Sequence, residues 1–144
     1  MAKAKQREPI YDFKTAEALA TCAKEWQHRL FLDHWYIEYG LVNGEDIPGM
    51  AGLNESVWDN CAGSISIRKM DQMPSTILNK HQEITLVHEL LHFKYLPFEQ
   101  IGTSTIEGVY FNTMQHQILE QMAKSLIMAK YDLDPSWFQK HFSF

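Results

Sequence analysis

Cysteine is scarce in this chain: its 144 residues include two, Cys22 and Cys61, far apart and neither with a CxxC neighbour. They can build neither a disulfide framework nor a thiolate metal site, and they read as two buried free thiols in a reducing cytosol. Long apolar runs are missing as well. No uninterrupted stretch approaches the length needed to cross a bilayer, and Met1 to Ile10 holds no apolar core of a secretory signal. Neither membrane insertion nor export is therefore expected, and the localisation reads as cytoplasmic. Positive charge is outweighed, with 13 Lys and Arg against 18 Asp and Glu and a formal net charge of -5. That balance gives no reason to expect nucleic acid or an anionic membrane as a partner. The one basic cluster, Lys3, Lys5 and Arg7, reads as part of a flexible, solvated tail over residues 1–12. Glycine (7) and proline (5) are too few and too scattered to form a linker, so residues 13–144 read as a single domain.

What is present is enough to fill a core: 45% of residues are apolar and 12% aromatic. Between Thr15 and Phe31, the residues Leu19, Cys22, Ala23, Trp26 and Leu30 recur at three- and four-residue steps, an amphipathic helix with Thr15 as its N-cap. Trp35 to Val42 is aromatic and β-branched and reads as a strand, with a turn over Asn43 to Asp46. Ala51 to Asp59 is ambiguous, its Gly52, Asn54 and Asp59 favouring turns while Val57 and Trp58 suit a short strand. Ala62 to Arg68 alternates small or polar residues with isoleucine and reads as another strand. A second helix is expected from Asn79, its cap, to Tyr95, stopping before Pro97. A polar connection from Glu99 to Ser104 then leads to the longest helical pattern, with Phe111, Met114, Ile118, Leu119, Met122, Leu126 and Ile127 as its apolar stripe. Asp132 to Pro135 ends it, and Trp137, Phe138 and Phe142 pack back on the core. The order predicts an α+β fold: an N-terminal helix, a small sheet of about three strands and two further helices.

Chemistry concentrates in the second helix, where Thr85-Leu86-Val87-His88-Glu89-Leu90-Leu91-His92 contains H-E-x-x-H. Residues four apart lie one turn above each other on a helix, so His88 and His92 can offer two imidazoles to one cation. Glu89 follows the first histidine and leans toward where a metal-bound water sits, the place of a general base. The plain alternative is a pair of buried histidines satisfied by hydrogen bonds. Leu90-Leu91 between them and the apolar helix around them favour the metal, because such polar groups are costly there without partners. Tyr95, Tyr110 and His81 could stabilise an oxyanion, but read first as half-buried or surface groups.

At this motif the sequence resembles the zincin metallopeptidases. More narrowly, it is similar to short phage- and bacterium-encoded metallopeptidases related to the ImmA/IrrE and SprT-like groups, with the later helix His116-Gln117-Ile118-Leu119-Glu120-Gln121-Met122-Ala123 standing where those carry E-x-L-A. Lys94, the lack of a histidine between His92 and His116 and the lack of E-x-E-A-N depart from those patterns. The resemblance implies a minimal zincin-like domain, a zinc ion, a peptide or protein substrate and a third protein ligand on the helix after the motif. Catalytic zinc sites usually have three protein ligands plus water. Glu120, at the edge of an apolar stripe with Ala123 and Ile127, is the favoured third ligand. His116 would then stand beside the ligands or face the substrate; the reverse assignment, three histidines, stays open, and Glu107 is a more distant candidate. The resemblance also implies an edge strand that binds extended peptide, for which Ser64 to Arg68 stands in the right place in the order.

Two non-hydrolytic readings remain beside the enzyme. One is a zincin-fold regulator with structural zinc, in which a fourth protein ligand closes the site. The other is a metal-free helical domain. Two histidines and a carboxylate also suit iron(II), although H-E-x-x-H on a helix favours zinc.

Overall fold

The computed structural model describes residues 7–77, 81–103 and 108–141. Asn79, Ser104, Glu107 and Phe142, as well as Lys3 and Lys5, lie outside the described residues. The described residues form an α+β fold of four α-helices and one three-stranded sheet. Helix α1 (Ala16–Arg29) starts at Thr15, whose hydroxyl accepts from the Ala18 amide at 3.1 Å, the expected cap. It buries Leu19, Cys22, Ala23 and Trp26 along one stripe.

The sheet comprises β1 (Tyr36–Val42), β2 (Gly52–Val57) and β3 (Ala62–Arg68), in the order β1-β3-β2. β1 runs parallel to β3 and β2 antiparallel to it, so β3 is the central strand. Ser64 to Arg68 therefore does not form an edge: both sides of that segment are already paired. The edges are β1 and β2, the latter being the segment whose sequence was ambiguous. Its residues Gly52, Asn54 and Ser56 stand opposite Ile67, Ile65 and Gly63. Opposed residues share a face of a sheet, and Ile65 and Ile67 are fully buried. The inward face of β2 is thus glycine, asparagine and serine, which hides the apolar alternation that marks a strand.

Helix α2 (Gln82–Thr103) lies against that face and is buried nearly all round over its first three turns. Its leading amides need no side-chain cap. The Gln82 and Glu83 N–H groups donate to the Tyr11 and Ile10 carbonyls at 3.2 and 3.1 Å, and the Phe13 N–H donates to Gln82 Oε1 at 2.5 Å. The chain entering the domain is pinned to α2 at this point. The helix does not stop before Pro97 but runs through it for six more residues, so Glu99, expected in a loop, is helical. Proline in a helix interior removes one hydrogen bond and costs about 3 kcal/mol. Beyond Pro97, Glu99 is tied to His92 of the same helix and to Gln115 of the next.

Helix α3 (Gly108–Tyr131) packs on α2 through Gln115, Leu119, Ala123, Ile127 and Tyr131, a strict four-residue series. Met114 and Ile118, expected in its apolar stripe, are exposed, because the buried face is centred one residue further along. Asp132, at φ 53°, ends α3, and the short α4 (Pro135–His141) returns Trp137 and Phe138 half-buried against the core. Cys22 is a buried free thiol as expected, and burial together with the nearby Glu83 charge pushes it up to about 12. Cys61 is also free but only half-buried, at the turn into β3. No described helix is long and apolar enough to cross a membrane.

Candidate metal centre

The four-residue spacing places the motif histidines on one face of α2, His88 and His92 having ring centroids 5.1 Å apart. His116 reaches over from α3, its ring 5.4 Å from His88 and 4.8 Å from His92. One possible ligand atom from each of the three residues lies within 4.8 Å of the others. Nitrogens bound tetrahedrally at about 2.05 Å from a zinc ion stand roughly 3.3 Å apart, so small rotamer adjustments would close the three rings on a common centre. The donor set fits the ion that the motif implies.

Two carboxylates determine which ring nitrogens are available. His88 Nδ1 is 2.9 Å from Glu120 Oε2, and His92 Nδ1 is bonded to Glu99 Oε1. An ionised carboxylate only accepts, so each Nδ1 carries a proton, and it is Nε2 that can offer a lone pair to a cation. Such a carboxylate behind a metal-binding histidine fixes its tautomer and ring orientation. Glu120 is engaged on both sides, with its Oε1 3.7 Å from Lys124 Nζ. The geometry thus groups His116 with the motif histidines, while Glu120, the favoured third ligand, lines the same cleft and meets His88 Nδ1.

Burial pushes His88 down, but the Glu120 hydrogen bond and the charges of Glu89, Glu120 and Glu99 outweigh it, and the net direction is up. His116 moves the other way, lowered by burial and then by the charges of His92 and His88.

Glu89 is 7% exposed and faces β2. Asn54 Nδ2 donates to its Oε2 at 2.6 Å, while Oε1 lies beside Gly52. Gly52 makes this approach possible: a Cβ there would stand 2.8 Å from Thr85 Cγ2 and 3.1 Å from Glu89 Oε1. A cleft of about 290 Å³ is lined by Gly52, Thr85, His88, Glu89, His116 and Glu120, among others. Strand β2, with one side unpaired by β3, forms its rim.

Sequence reasoning found His88, Glu89, His92, His116 and Glu120 but missed Glu99, Asn54, Gly52 and Gln115. Glu99 stands two helical turns beyond His92, a spacing that carries meaning only because the helix continues through Pro97. Asn54 and Gly52 read as turn residues. The other candidates lie apart: Tyr95 is half-buried with its hydroxyl on Met122 Sδ at 3.6 Å, Tyr110 is exposed, and His81 is buried among aromatic rings. No protein-family profile, curated protein or solved structure matches the chain.

Proposed function

We propose that this protein is a zinc-dependent peptide hydrolase, with His88, His92 and His116 holding the ion and Glu89 as general base. The observation that carries the reading is the convergence of three imidazoles, two with Nδ1 held by carboxylates, with the Glu89 carboxylate lining the same cleft. A bound divalent cation would polarise the scissile carbonyl and make an attacking water more acidic. Glu89 Oε1 takes the proton of that water and returns it to the leaving amine nitrogen as the C–N bond breaks. Asn54 keeps Oε2 occupied, so the carboxylate presents one oxygen rather than rotating. An extended peptide lies along β2, its main chain pairing with the free edge of that strand. Peptide or protein is the substrate class, and a cytoplasmic setting, where Cys22 and Cys61 stay reduced, belongs to the same proposal.

The competing reading, a structural ion closed by four protein ligands, needs Glu120 to leave His88 Nδ1 and join the three histidines. Metal content and turnover separate the two. Wild type purified without chelator should carry stoichiometric zinc, lost in His92→Ala and His116→Ala and retained in Glu120→Ala. Glu89→Gln should keep the zinc and lose about 10²- to 10⁴-fold in hydrolysis of an unstructured protein such as casein. Wild type that neither carries nor takes up zinc, or Glu89→Gln with undiminished turnover, would overturn the proposal.

A further inference from the structure

His92 is the more enclosed of the two motif histidines, its side chain 8% exposed, and the carboxylate behind it is only 18% exposed. That carboxylate, Glu99, comes from the same helix and reaches His92 because α2 continues through Pro97. Seven residues make just under two turns, which sets Glu99 above His92 on one face. Glu99 has a second partner on α3: Gln115 Nε2 donates to the same Oε1 at 2.9 Å. Gln115 is 8% exposed, and its own Oε1 is buried with no hydrogen-bond partner. Leaving a buried carbonyl oxygen unsatisfied costs about 1–3 kcal/mol, so the amide is held in this orientation by what its nitrogen does for Glu99. Gln115 also immediately precedes His116. The turn of α3 that delivers the third imidazole therefore also braces the carboxylate behind the second.

We propose that Glu99 is a positioning residue for the metal centre, fixing His92 as its Nδ1–H tautomer with Nε2 toward the ion, and that Gln115 holds Glu99 in place. This rests on the metal reading above and assigns a part to two residues outside the H-E-x-x-H signature. Side chains in this position change metal affinity by about 10- to 100-fold when removed. Because the tautomer is set by protein groups alone, it can be read without any metal.

The experiment has two arms on the full chain. In the zinc-free protein, ¹⁵N shifts of the His92 ring report which nitrogen carries the proton; in parallel, competition against a chromophoric chelator gives the zinc Kd. Glu99→Met, which removes the acceptor while preserving bulk, should move His92 off the Nδ1–H tautomer and weaken zinc by about 10- to 100-fold. Glu99→Gln, which retains an acceptor oxygen, should recover most of both. Gln115→Leu is the companion variant should Glu99→Met fail to fold; it removes an unsatisfied oxygen together with the brace, and should loosen zinc by a smaller factor. Wild-type affinity and tautomer in Glu99→Met, or in Gln115→Leu if the former does not fold, overturn this inference while leaving the metal site standing. A wild type that binds no zinc overturns both, and an Nδ1–H His92 in that same protein would still mark Glu99 as a purely structural partner.

Discussion

His81 stands at the head of α2 against Tyr11 and Trp137, with ring centroids 5.1 and 5.0 Å away, and His141 of α4 lies at 5.7 Å. Burial, reinforced by the His141 charge and only partly opposed by Glu83, pushes His81 from 6.5 down to about 4. Between those values the unfolded chain binds a proton at this site that the folded chain does not. Stability therefore rises with pH across the window, is complete above the unfolded value and is lost as pH falls toward 4. His81→Gln removes the titration, so the Tm advantage of wild type over the variant should shrink between pH 7.5 and pH 4.5; a constant difference would show that His81 is not held neutral. At this scale the sequence disclosed the groups that a helix spaces for itself, His88, Glu89 and His92. Asn54 and Gln115 escaped notice because their partners, Glu89 and Glu99, are distant in sequence or misread as loop.

The elements meet along one row of α2. Thr85 abuts Gly52, Glu89 takes the Asn54 amide, and Phe93 closes on Gly63 while its ring stands edge-on to Trp35 at 5.1 Å. Those three helix positions are four apart, so a single face of α2 slides along the sheet. A Cβ on Gly63 would fall 2.3 Å from the Glu55 carbonyl oxygen and 2.6 Å from Phe93 Cε1. The carbonyl belongs to the paired backbone and cannot withdraw without opening the β2–β3 ladder. Gly63→Ala should cost about 3 kcal/mol, by urea unfolding, at the upper end of overpacking penalties. Gly40→Ala in β1, where the added carbon meets nothing within 4 Å, should be nearly neutral. Strands β1 and β3 were legible because β-branched and aromatic residues point inward. β2 was not, because α2 approaches so closely that only small or polar residues fit beneath it. The sequence places the exit of α2 too early because Pro97 is a strong local stop signal, while the ties of Glu99 to His92 and Gln115 are invisible to a local reading.

Across the whole molecule the parts are tied at Glu83, fully buried in the first turn of α2. Its carboxylate accepts from the Ile10 amide at 2.7 Å, Trp26 Nε1 of α1 at 2.8 Å, and Lys130 Nζ and the Tyr131 hydroxyl of α3 at 2.9 and 2.7 Å. An ion pair so enclosed adds little over an apolar replacement of both partners, but removing Glu83 alone leaves the enclosed Lys130 with only the longer, 3.3 Å contact to Glu25. Glu83→Met should cost about 3–5 kcal/mol, read as a lower urea midpoint. The double variant Glu83→Met, Lys130→Met should recover much of that loss, and additive losses would show that the two charges are not coupled. The sequence could announce an α+β domain from the order of its periodic segments. It could not announce the strand order β1-β3-β2 or this buried centre, since both depend on pairings between segments far apart in the chain.

That strand order also has a meaning in time. β2 and β3 are joined by a single short turn at Trp58–Asn60 and can pair as soon as both exist, whereas β1 must wait beside an empty place until β3 has been made. His88, Glu89 and His92 follow next, while His116 and its brace Gln115 arrive only with α3. A chain emerging from the ribosome thus carries Glu89 and two imidazoles before the third, and its cleft lacks the side lined by His116 and Glu120 until α3 docks. On the hydrolase reading, the growing polypeptide lacks a complete metal site until α3 has been made, and the docking of that helix is the event that completes it.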